Sequence, residues 1–145
     1  MTLSIYLRNF LLFLVVAIPV SIAADLILTG IVVPVFPNPL TPRSTWLRAT
    51  VLMLYSYGLT GGLVLSTIHT YLMSRVTAAS RSAVVLRSLI YAAVLGIVEV
   101  VILFLMFFIG YGIEVTVILP GILMYGWIIG LNVARARSRG SISSV

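Results

Sequence analysis

Three residues in this chain have side chains suited to proton, cation or metal chemistry and lie inside apolar runs: Asp25, His69 and Glu99. Glu99 stands in the stretch LGIVEVVILF. A carboxyl at such a position is costly in lipid and faces protein or water instead. With straight helices rising about 1.5 Å per residue, Glu99 falls near mid-membrane. Gly61, Gly62 and the Pro120–Gly121 step fall at the same depth. Pro120 leaves a carbonyl of the preceding turn without its usual donor. A protonated Glu99 would supply one, a purely structural role, whereas the functional alternative is a proton or cation site. Asp25 sits nearer the opposite boundary, level with Tyr55 and Tyr57. A pair with Arg48, whose long stem can snorkel, locks two helices together. The alternative is a polar opening to a path towards Glu99.

His69 is the one histidine. Among small neighbours such a ring is a candidate ligand for haem iron or a (bacterio)chlorophyll magnesium, although a single histidine excludes bis-histidine haem within one chain. The simpler role is a hydrogen bond to a carbonyl or head group. Other chemistry is absent. The chain has no phosphate-binding glycine loop, no H-E-x-x-H pair and no G-x-S-x-G turn. It has no cysteine, so disulfides and thiolate sites are excluded. Asp25, His69 and Glu99 fall on different helices at different depths, an arrangement that argues against an enzyme.

The elements that carry these residues follow from composition. Of 145 residues, 61% are hydrophobic and 8% charged, with mean hydropathy +1.23. A soluble domain carries about 25% charged residues, so this composition belongs in a membrane. Net charge is +6, from nine arginines and no lysine against three acids. In a soluble protein that balance would suggest nucleic acid. Here the arginines flank apolar runs, where they orient the chain and meet anionic lipid, and no nucleic-acid role is expected.

The expected fold is an all-α integral membrane protein, a single domain formed by a bundle of four transmembrane helices. The spans are placed at about residues 9–33, 47–72, 88–109 and 113–133, each near the length of about 20 residues that a bilayer requires. The first run resembles a signal peptide at its start but continues past Asp25, so it reads as a retained span. Pro19 is expected to bend it. Pro34, Pro37, Pro39 and Pro42 form a stiff connector to Trp46, and a tight turn at Gly110 to Gly112 joins the last two helices, with Glu114 in the final helix's first turn. The tail, residues 134–145, is basic and Ser-rich and is expected to fray. Arg8, Arg75, Arg81, Arg87, Arg135, Arg137 and Arg139 fall on one side, and Arg43 and Arg48 on the other. Both termini are therefore assigned to the cytoplasm of a multi-pass protein of the inner (plasma) membrane.

Helix packing is legible as rows of small residues four apart. The second helix carries Gly58, Gly62, Ser66 and Thr70, the third Ser88, Ala92 and Gly96, and the fourth Gly126, Gly130 and Ala134. Such rows let two backbones approach closely. The rows are assigned to packing within the bundle, and because there are more of them than four helices need, that of the fourth helix is also available to a partner protein. The expected function is a small non-catalytic accessory subunit of a larger membrane complex, of the respiratory or photosynthetic kind. It packs against other membrane subunits, and it holds lipid, quinone or a pigment at His69. Arg75, Arg81, Arg87, Arg135, Arg137 and Arg139 are assigned to anionic lipid head groups. The alternative is an oligomeric small transporter or channel coupled to protons through Glu99 and Asp25.

Overall fold

The computed structural model describes residues 3–35, 43–77, 80–107 and 112–142, with side chains for 3–28, 58–77, 80–102, 105 and 118–138. These residues form four α-helices: α1 (Leu3–Val35), α2 (Arg43–Ser74), α3 (Arg81–Phe107) and α4 (Gly112–Ile142). The stretches Leu3–Leu28, Arg81–Ile102 and Ile118–Ser138 are each long and apolar enough to cross a membrane.

Each helix packs on the next, and α4 closes back onto α1, so α1 and α3 face across one diagonal and α2 and α4 across the other. Neighbours run antiparallel. Asn9 meets Thr70 while Ile18 meets Gly58, and Ser88 meets Gly126 while Gly96 meets Ile122. The start of α1, the end of α2, the start of α3 and the end of α4 consequently share one arginine-rich end. Phe13, Ala17, Leu65, Ile122, Tyr125 and Ile129 fill the interior. Leu3, Val15, Ile27, Leu86 and Leu105 are among the large apolar side chains that point outwards. Apolar residues inside and out are the pattern of a protein whose surroundings are also apolar.

All four helices exceed the spans placed from sequence. α1 starts at Leu3 and runs through Pro34, so the proline connector shrinks to residues outside those described. α3 begins at Arg81, ahead of the expected residue 88, because Ser80 caps it. The Ser80 carbonyl accepts from the Val84 amide at 3.1 Å, and its hydroxyl accepts from the Ala83 amide at 3.2 Å. A side-chain acceptor reaching the third residue's N–H is standard N-cap chemistry. The tail differs most. α4 continues to Ile142 instead of fraying at residue 134. Alanine and arginine are good helix formers, and cations suit a helix C-terminus. Arg137 also donates to the Val76 carbonyl, pinning this extension to the α2–α3 loop.

Glycines set the helix separations. At Gly121 a Cβ would collide with the Ala17 carbonyl and the Ser21 hydroxyl of α1. At Gly126 it would lie 2.5 Å from the Ala92 Cβ, and at Gly130 it would lie 2.9 Å from both the Ser88 Cβ and the Val85 Cα. Gly58 faces the flexible end of Ile18. Gly126 and Gly130 are thus covered by α3, and Ala134 is buried as well. The row of α4 therefore lies in an internal seam rather than on a face open to a partner. An alanine facing rigid backbone should cost about 1–3 kcal/mol by overpacking. Thermal melts in detergent should therefore rank Gly121→Ala well below Gly58→Ala in stability. The reverse order would show that α1 and α4 are not in this register.

Candidate functional site

Five of the seven buried polar side chains described, Asn9, Ser66, His69, Thr70 and Ser88, lie in the arginine-rich half of the bundle, where hydrogen bonds connect all four helices. Asn9 of α1 donates through Nδ2 to Thr70 Oγ1 of α2 at 2.9 Å. The adjacent residue, His69, lies one helical step of about 100° further round α2. It therefore reaches α3, with Nε2 3.0 Å from the Ser88 carbonyl and 3.3 Å from the Ser88 hydroxyl. Ser88 in turn donates its hydroxyl to the Gly126 carbonyl of α4 at 2.6 Å. A carbonyl can only accept, so His69 Nε2 carries the proton. Tyr125 of α4 stands at the centre. Its ring lies 5.3 Å from Phe13, edge-on, and 5.3 Å from His69, tilted.

In this geometry His69 is bonded to Ser88 and packed against Tyr125. The ring is fully buried, with 0% exposure, between Ser88 and Tyr125. A flat macrocycle would reach it only if the helices parted. Among the described residues, three buried side-chain atoms make no hydrogen bond: Asn9 Oδ1, His69 Nδ1 and Tyr125 Oη. The Tyr125 hydroxyl lies near Thr70 without adopting bonding geometry.

The three sequence candidates do not converge. Glu99 is half-buried at the α2–α3 seam, where its carboxyl rests directly on Gly61. The shared depth with Gly61 matches the sequence expectation, but the Pro120–Gly121 step does not join it, because Gly121 faces α1. Among the described residues Glu99 has no hydrogen-bond partner. Glu99 lies eleven residues beyond Ser88 on α3, about 16 Å along the axis from the His69 contact. Asp25 is buried, with 5% exposure, on α1, diagonal to Glu99, and it is engaged in an interaction of its own. Its expected partners Arg48, Tyr55 and Tyr57 have side chains outside the described set. Among the described residues no three His, Asp or Glu side chains come together as metal ligands would.

Of the small residues, Gly62 lies against the Phe13 ring, Gly96 against Ile122, and Ala92 against Gly126. Ser66 donates back to the Leu63 carbonyl of its own helix at 3.2 Å. Of the arginines, Arg75, Arg81, Arg87 and Arg135 are exposed and Arg137 is half-buried, while the Arg139 side chain is outside the described set. Arg75 also covers the Tyr71 ring, 4.8 Å from its centroid, a cation–π contact. Sequence reasoning missed Asn9 and Tyr125. A polar residue one step inside the first arginine, and an aromatic beside the glycine row, were the available signals.

No protein-family model, curated protein or solved structure matches this chain. The site is therefore understood from its own geometry, which offers cross-helix linkage. Interhelical hydrogen bonds in membranes contribute about 0.6 kcal/mol on average. A double-mutant cycle of Asn9→Leu and Thr70→Val, read by unfolding in detergent, should give a coupling of about that size. Zero coupling would remove the α1–α2 link.

Proposed function

We propose that the chain is a non-catalytic, four-span subunit of a larger membrane assembly, with α2 as the fourth span and both termini in the cytoplasm. The arginine-rich end formed by Arg8, Arg75, Arg81, Arg135 and Arg137 supports that orientation, since positive loops stay inside. It also supports placement in an inner (plasma) membrane with anionic lipid around it.

One observation carries the assembly reading: the Glu99 carboxyl, at mid-span on the half-buried α2–α3 seam, lacks a hydrogen-bond partner among the described residues. A carboxyl at that depth calls for a donor, and a neighbouring subunit laid along α2 and α3 would supply it. Val64 of α2 and Ile102 of α3, three residues beyond Gly61 and Glu99 on the same faces, are exposed and offer such a neighbour an apolar surface. With the glycine row of α4 covered by α3, this side is the one offered for docking. Quinone or pigment remains compatible with the assembly, held at its interfaces rather than on the enclosed His69.

Extraction from the native membrane in mild detergent, followed by a native gel and mass spectrometry of the band, tests this. The expected band is far heavier than 15.8 kDa and contains other membrane proteins. Glu99→Leu should release the chain from that band while its melting temperature is kept. A band holding only copies of this chain would overturn the subunit reading in favour of an oligomeric proton-coupled transporter.

A further inference from the structure

At the arginine-rich end a cleft of about 130 Å³ opens between α1, α2 and α4. Its polar lining is Arg8, Asn9, Thr70, Ser74, Asn132 and Arg137. Two guanidinium groups with no carboxylate among the lining residues make the cleft selective for an anion. Arg137 is held in place by its bond to the Val76 carbonyl, which fixes the planar fork and leaves further N–H groups to donate. Arg8 is exposed at the opening. Planar, charge-assisted donors of this kind suit phosphate oxygens.

The inner wall adds a second requirement. Asn9 is 4% exposed and lines the cleft, its Nδ2 is committed to Thr70, and its Oδ1 is buried without a partner. A bare phosphate cannot satisfy an acceptor, whereas a ligand hydroxyl can. The volume is about that of four water molecules at ~30 Å³ each, which suits a phosphate with a short hydroxylated arm and is too small for a nucleotide. Ile5 and Val133 continue the lining in apolar form.

We infer that this cleft binds a hydroxyl-bearing phosphodiester, with the phosphate on Arg8 and Arg137 and the hydroxyl donating to Asn9 Oδ1. Its position at the end of apolar spans assigns it to a lipid source, the headgroup of a phosphatidylglycerol-type lipid in the cytoplasmic leaflet. The inference is independent of Glu99 and of any partner subunit.

The test is native mass spectrometry of the full chain in detergent, titrated separately with phosphatidylglycerol, phosphatidic acid, phosphatidylethanolamine, phosphatidylcholine and soluble glycerol phosphate. Phosphatidylglycerol should bind about tenfold more tightly than the zwitterionic lipids, and Arg8→Gln or Arg137→Gln should each remove most of that advantage. Arg8 is exposed, so Arg8→Gln keeps the fold, as a melt would verify. Asn9→Leu should abolish the preference for phosphatidylglycerol over phosphatidic acid. Equal binding of phosphatidylglycerol and phosphatidylcholine, or unchanged affinity in both arginine variants, would overturn the site. Glycerol phosphate binding as tightly as the lipid would overturn the lipid source.

Discussion

At Gly121 the backbone of α4 lies directly on the Ala17 carbonyl of α1, and at Gly126 and Gly130 it lies on Ala92, Ser88 and Val85 of α3. These close approaches determine what the rest of the bundle can do. Lipid tails are as apolar as leucine, so burial of apolar surface does little to hold helices together in a membrane. Contact between backbones supplies dispersion, and it brings short polar side chains within reach of the opposite helix. The Ser88 hydroxyl spans the α3–α4 seam to the Gly126 carbonyl because Gly126 and Ala92 leave room for it. His69 and Asn9 extend that linkage to α2 and α1. Any larger residue at Gly126 would move α4 outwards and break the polar chain at its shortest link.

The same seams divide the molecule. Towards the arginine-rich end the interior is linked by hydrogen bonds and centred on Tyr125, with the arginines and the α4 extension closing the end. Further along, the α2–α3 seam carries Glu99 over Gly61, with the carboxyl facing neither of the other two ionisable groups. The bundle thus separates a cross-linked end from a middle that presents a carboxyl at its side.

Much of this was readable from residue order. The step of four in Gly58–Gly62–Ser66, Ala92–Gly96 and Gly126–Gly130 marked contact faces through helical periodicity alone. Which face meets which helix was not readable, because protein and lipid neighbours are equally apolar and give no contrast. Gly121 illustrates this. It precedes Gly126 by five residues, about 140° around the helix, so the two glycines serve α1 and α3 respectively. Depth alone had grouped Gly121 with Glu99. Helix ends were misplaced for a different reason. Arg81 and Arg135 looked like loop charges, yet arginine is a good helix former, and Ser80 and the Arg137–Val76 bond let α3 and α4 extend past the apolar runs.

The absence of cysteine permits a direct test of the register on which this account depends. A Cβ placed on Gly96 would stand 3.7 Å from the Ile122 Cβ across the α3–α4 seam, close to the spacing of about 3.8 Å found in disulfides. The measurement is mild oxidation of the Gly96→Cys/Ile122→Cys double variant in membranes, followed by a non-reducing gel. One fast-migrating, internally cross-linked monomer that reverts on reduction is expected. Free thiols after oxidation, or dimers linked between chains, would contradict the bundle described here.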